Sequence, residues 1–252
     1  MFITEKIYDL DALTLMNTHM HTNFSLCARP EMVLKDMVKE AEAAGLKMIA
    51  VTDHSDPGSP IDVLGNTGKL REQLSAIDTD VRVLIGSELS AYGVGKFADS
   101  DELNAALDFR NYSCVHYHLG PWEHPEDRSP RGYAAHMLAV LRSLFEAGRA
   151  DCVAHPFSPG KLKFFDEEQK KAMLDSLTDN ELGDILEMGE KALCAWELHY
   201  PTFALYPDFS RRLYFIGKEA GVHFTFGTDT HSLAGISTAG CAEKMKKAFN
   251  LP

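Results

Sequence analysis

The stretch Pro30-Glu-Met-Val-Leu-Lys-Asp-Met-Val-Lys-Glu-Ala-Glu-Ala-Ala-Gly45-Leu-Lys-Met-Ile-Ala-Val-Thr-Asp-His54 decides the fold. Its first half spaces Met32, Val33, Met37, Val38 and Ala41 along one helical face. Pro30 stands at a plausible first helical position, and Gly45 ends the run as a C-cap glycine does. The apolar run Met48–Val51 follows at once and closes in Thr52-Asp53-His54. The same unit recurs twice. In Tyr133–Ala147, Met137, Leu138, Leu141, Leu144 and Phe145 form a stripe, Gly148 stops it, and Cys152–Ala154 follows. In Asp208–Ala220, Leu213, Phe215 and Ile216 are apolar, Gly221 stops the helix, and Val222–Thr228 comes next. Three helix–glycine–strand units predict parallel strands joined by helical crossovers.

Working outward, Leu13–Thr18, Val81–Ile85, Tyr112–Val115 and Ala192–Leu198 bring the strand count to about seven, with further helices at Lys69–Ser75, Ser100–Phe109, Asp166–Ser176 and Glu181–Glu190. No linker, low-complexity tract or charge block divides the chain, so residues 1–252 read as one domain. An open doubly wound sheet gathers its site from only a few strands at a switch point. Here metal-type residues end nearly every strand, which suits a barrel whose strand ends share one mouth. The expectation is an α/β fold, a distorted seven-stranded (β/α)7 TIM-like barrel.

The chain has 252 residues, 45% of them hydrophobic, and a formal net charge of −12. That charge argues against a nucleic-acid duplex as partner and disfavours anionic membrane surfaces. No apolar run nears the roughly 20 residues of a membrane span. The opening Met1-Phe-Ile-Thr-Glu-Lys-Ile7 lacks a signal peptide's layout, so a cytoplasmic enzyme is expected. Five scattered cysteines, Cys27, Cys114, Cys152, Cys194 and Cys241, suggest neither a disulfide framework nor a zinc finger.

The chemistry lies where the runs end. In His19-Met-His21 the imidazoles are two residues apart, so an extended strand turns both to one side, as chelation requires. Asp229 and His231 repeat that spacing. Glu88 follows a strongly apolar run and reads as a carboxylate bridging two cations. His54, His116 and His155 complete the set, Pro156 holding His155 extended. Asp53 faces away from His54 and reads as an orienting group rather than a ligand. Taken singly, each histidine is a hydrogen-bonded core residue and Glu88 a solvated loop residue. Together, on one face of one fold, they indicate a multinuclear metal hydrolase.

These residues also resemble a known family. His19-Met-His21-Thr22, Thr52-Asp53-His54, Gly86-Ser87-Glu88, Ser113-Cys-Val-His116, Ala154-His155-Pro156 and Gly227-Thr-Asp229-Thr-His231 are similar, in order, to the motifs of the polymerase-and-histidinol-phosphatase (PHP) family. The resemblance covers residues 13–232 and implies a distorted seven-stranded barrel, two or three divalent cations (Zn, Mn or Fe) and phosphoester hydrolysis. It implies that His19, His21, Glu88 and Asp229 hold one cation, that Glu88, His116 and His155 hold a second, and that His54 and His231 belong to a third. Three-metal members usually carry another His or Asp shortly after the first pair. This chain has Cys27 near that place, either a thiolate ligand favouring zinc or the mark of a weak third site.

Paired cations clamp an in-line phosphoryl displacement and activate water, so no Ser or Cys nucleophile is needed. No nucleophile elbow, Walker loop or dinucleotide fingerprint is present. The expected substrate is a small phosphomonoester, histidinol phosphate being the family's first candidate. Glu88, Asp229 and His199 are the candidate catalytic residues, His199 as proton donor or substrate contact. Arg29, His118 and Arg131 are the candidate substrate contacts; the last two lie in the long loop Tyr117–Gly132, which also holds His124 and Arg128. His136 and His223 read as packing positions. Two alternatives stand: an amidohydrolase-type C–N or C–O hydrolase, disfavoured because no Lys occupies a middle strand end, and a noncatalytic metal-stabilised PHP module.

Overall fold

A computed structural model describes residues 5–252; residues 1–4 of the opening stretch that was read against a leader lie outside them. Among the described residues eight strands form: β1 (Met16–Met20), β2 (Met48–Ser55), β3 (Arg82–Gly93), β4 (Lys96–Phe97), β5 (Phe109–Ser113), β6 (Cys152–Val153), β7 (Ala195–His199) and β8 (Phe224–Gly227). The sheet order is β1-β2-β3-β5-β6-β7-β8, every pair on that path parallel, while β4 folds back antiparallel on β3. Between β8 and β1 the ring closes sparsely. Met20 bridges Thr230, the His21 N–H donates to the Thr230 carbonyl at 3.0 Å, and the Thr18 hydroxyl donates to the Phe226 carbonyl at 3.2 Å. The result is a nearly closed seven-stranded parallel barrel, the expected distorted (β/α)7 form.

Each helix–glycine–strand unit is present. Gly45, Gly148 and Gly221 have φ of 73°, 62° and 70°, where a side chain would strain the backbone. The helices Leu34–Ala43, Pro130–Ala147 and Pro207–Ala220 bury their apolar stripes against the barrel. Inside, alternate residues Ala50, Leu84, Phe109, Cys152 and Ala195 form an apolar floor. Among the described residues no helix is long and apolar enough to cross a membrane.

Three local expectations are corrected. Pro30 does not begin its helix, which starts at Leu34; the Met32 carbonyl is engaged instead by the Asn23 N–H. The segment read as helix to Phe109 stops at Ala106, and Phe109 opens β5 because Phe109 pairs with Gly86 while the Asp108 N–H reaches the Ile85 carbonyl. Strand β3 runs well past Ile85, so Glu88 lies in mid-strand, not at the start of a loop.

Candidate metal centre

The register that aligns Ala50 with Leu84 and Thr52 with Gly86 also aligns His54 with Glu88. Period-two alternation therefore lifts both side chains above the apolar floor on the inner face. Glu88 is 1% exposed. Its Oε2 lies 3.3 Å from His19 Nε2, 3.6 Å from His21 Nε2 and 3.0 Å from His54 Nδ1. Its Oε1 lies 3.3 Å from His116 Nε2 and 2.8 Å from His155 Nε2. One carboxylate thus presents its two oxygens to two different sets of imidazoles.

Asp229, at φ 51°, adds Oδ1 to the first set, 3.0 Å from His21 Nε2 and 3.6 Å from His19 Nε2. Ligand atoms of His19, His21, Glu88 and Asp229 all fall within 4.8 Å of one another. Two further groups meet the same condition: His54, Glu88 and His116, and then His21, Cys27, His54 and His231. His54 is therefore shared between the second and third sets.

Electrostatics fit this arrangement to cations. Burial alone would raise the Glu88 pKa, but the surrounding imidazoles, His54 and His116 foremost, hold it well below the ordinary range. Burial likewise opposes charge on His19 and His54; nearby carboxylates outweigh it, Glu197 most for His19 and Glu88 for His54, and both pKa values rise well above normal. His21 and His155 are pushed down to about 3 and about 4, mainly by burial. The Cys27 thiol comes down to about 7: burial works against this, but hydrogen bonds with His231 and His54 prevail. Buried polar atoms without a hydrogen-bond partner include His19 Nε2, His21 Nδ1, Glu88 Oε2, both nitrogens of His116 and His155 Nδ1. Such orphaned atoms are costly unless an ion engages them, and a nitrogen–carboxylate donor set suits Zn, Mn or Fe.

A cavity of about 280 Å³ opens over the cluster, lined by His54, His116, His118, His231, Cys27 and Lys161 among others. His118 stands in the wall beside His116. His199 is buried behind Asp229, its Nε2 3.7 Å from Oδ2. Two candidate substrate contacts are not brought to the cavity. Arg29 is 70% exposed, faces Glu31 at 3.9 Å and engages the cluster only through its N–H, which donates to the His231 carbonyl. Arg131 is held in a two-pronged pair with Glu181 and donates to the Ser176 carbonyl, because the capping box of the helix Asp179–Lys191 fixes Glu181 beneath it. His124 and Arg128 are likewise tied to the Tyr133 hydroxyl. Pro156 does not leave His155 extended: its φ is 29°, and its N–H is taken by Glu197.

Sequence reading passed over three groups here. Lys161, in the turn Pro159–Lys161, lines the cavity with Nζ 3.7 Å from Asp229 Oδ2, and no periodic signal marks it. Asp56, also in the lining, approaches His116 Nδ1 at 3.9 Å; standing two residues after His54, it shares the spacing that flagged the other pairs. Glu197 accepts from His19 Nδ1 at 2.9 Å, and an acid inside the apolar run Ala192–Leu198 was its signal. Asp53 accepts from the Thr22 N–H and hydroxyl and from the Ser25 hydroxyl, anchoring the loop that carries Cys27.

The histidinol phosphate phosphatase of Lactococcus lactis subsp. lactis Il1403, solved with zinc, L-histidinol and phosphate, is similar in structure, with a TM-score of 0.64 and 19% identity over 92% of this chain and 93% of that one. At that identity the likeness shows the fold. An endoglucanase from Clostridium longisporum (TM-score 0.35, 10% identity, 97% and 98% of the two chains) and a family 5 xyloglucanase from Paenibacillus pabuli (0.37, 8%, 95% and 99%) overlap too weakly to carry an argument. A comparison with curated proteins returned no match. The family model for the PHP domain matches residues 17–158, more than half of the sequence, and takes in His19, His21, His54, Glu88, His116 and His155. The chain belongs to the PHP domain family.

Proposed function

We propose that this protein is a metal-dependent phosphoesterase that hydrolyses a small phosphomonoester. The observation that carries this reading is the Glu88 carboxylate set between two groups of imidazoles beneath a cavity of about 280 Å³. Membership of the PHP domain family supports it. So does the structural likeness to a phosphatase whose solved form holds zinc, L-histidinol and phosphate.

On this reading His19, His21, Glu88 and Asp229 hold one cation, Glu88, His116 and His155 a second, and His54, His231 and Cys27 a third. Bound cations supply positive charge for the phosphoryl oxygens and lower the pKa of a water. Lys161 adds a positive side chain to the same wall, doing what the sequence assigned to Arg29 and Arg131. His199 orients Asp229: the Thr202 N–H donates to His199 Nδ1 at 3.2 Å, which leaves Nε2 to face the Asp229 carboxylate at 3.7 Å. Leu26, Ile61 and Leu119 give the cavity an apolar side against which a small leaving group packs. Histidinol phosphate is one ester of suitable size.

A panel of phosphomonoesters assayed with added Mn²⁺ or Zn²⁺, alongside amides and lactones, tests the proposal. Saturable phosphate release is expected. Cleavage of amides or lactones alone points to an amidohydrolase-type enzyme, and no turnover at all points to a noncatalytic module.

A further inference from the structure

Strand β7 reads Ala195-Trp-Glu-Leu-His199. Alternation turns Ala195, Glu197 and His199 inward, while Trp196 meets Phe145 and Gly189 of the surrounding helices. Glu197 is therefore a carboxylate sealed in the barrel at 1% exposure, a costly placement unless its oxygens are engaged. Both are. Oε1 accepts from His19 Nδ1 at 2.9 Å, and Oε2 accepts from the backbone N–H of His155. Room for the carboxylate exists because position 227 is glycine; a Cβ there would overlap Oε1 and crowd the His19 Cβ. One side chain thus grips residues at both oxygens of Glu88, His19 beside Oε2 through its ring and His155 beside Oε1 through its positive-φ backbone.

We propose that Glu197 is a positioning residue that couples the two cation subsites, fixing His19 as the Nδ1–H tautomer and holding the turn that aims His155. The proposal rests on the metal-centre reading above. With its proton on Nδ1, His19 directs the Nε2 lone pair at the space shared with Glu88 and Asp229. His21 and His155 have no such support, for their Nδ1 atoms are unpartnered.

The test is Glu197→Gln, titrated with Zn²⁺ by calorimetry and assayed for phosphate release. An amide has one acceptor oxygen and turns an NH2 toward the other donor, so one of the two grips is lost. Zinc affinity should fall about ten- to hundredfold, and kcat should fall more than KM rises. Zinc affinity within twofold of wild type, with only a lower melting temperature, would mean a merely structural role and overturn the proposal. Should Glu197→Gln not fold, long-range ¹H–¹⁵N spectra of the zinc-loaded wild type decide: a proton on His19 Nδ1 supports it, a proton on Nε2 overturns it. A wild type that binds zinc yet releases no phosphate sinks the phosphoesterase reading alone, and Glu197 still stands or falls on the zinc shift.

Discussion

Glu88 is the residue on which the cluster turns, because its two oxygens face two different sets of imidazoles and neither faces water. Glu88→Gln keeps the shape and removes the charge, so the two sets of imidazoles lose the carboxylate they share. We expect kcat to fall by on the order of a thousandfold or more, about 4 kcal/mol of barrier, with less bound metal and an unchanged circular dichroism spectrum. Full activity in this variant contradicts the assignment. Protonation follows from the same residues. His19 and His54 have pKa values raised well above 6.5, so the metal-free cluster keeps protons there at neutral pH. A cation needs the lone pairs those protons occupy. Binding near pH 7 should therefore expel protons, and affinity should climb as pH rises toward the raised values. Zinc titrations in two buffers of different ionisation heat measure this; identical observed heats would count against it. Cys27→Ser offers a narrower check: metal analysis should show loss confined to the cation held by His54 and His231, with the other sites still filled.

Among the elements, β3 does most to position the site, and it was also the one least readable in the chain. Its apolar half, Val81–Ile85, is plain in the sequence, but Glu88-Leu-Ser-Ala91 alternates polar and apolar and is equally readable as a strand giving way to a loop. That alternation is the mark of a strand with a polar inner face, here the ligand face. The helix–glycine–strand units were legible because a positive-φ stop has a one-residue signature. The start of β5 was not, because Leu107-Asp-Phe109 fits a helical stripe equally well, and only the pairing of Phe109 with Gly86 decides. Metal-type residues were legible by chemistry and spacing; Lys161 was not, since a lone Lys after Pro-Gly matches many surface turns. Glu197 is legible as an acid inside an apolar run, set in mid-strand rather than at the strand end where the other metal-type residues stand. Gly86 exposes the tolerance of β3. A Cβ there would overlap the Phe109 carbonyl, a backbone atom that cannot turn aside. Gly86→Ala should cost about 2 kcal/mol and also weaken cation binding, since Glu88 lies two residues on. A urea midpoint equal to that of wild type would show that the strands part more easily than this contact implies.

At the scale of the whole molecule, the barrel is least regularly paired where β8 meets β1, a seam with one isolated bridge and a few hydrogen bonds in place of a ladder. The first cation group straddles it, with His19 and His21 on the β1 side, Asp229 on the β8 side and Glu88 across the mouth. A cation held there does for the seam what missing ladder bonds do not. It binds the folded chain and has no assembled site in the unfolded one, so it stabilises by mass action. A free cation concentration a thousandfold above its dissociation constant contributes about 4 kcal/mol. In a chain of this size each kcal/mol moves the melting temperature by about 2–4 °C. Chelation should therefore lower the melting temperature by roughly 10 °C, and restored Zn²⁺ or Mn²⁺ should recover it. Hydrogen exchange should localise the loosening to Thr18–Thr22 and 226–231, with the Pro130–Ala147 helix little changed. Stripping stoichiometric metal without any shift in melting temperature or in seam exchange would show that the barrel closes by its own hydrogen bonds, and that the cations serve the chemistry alone.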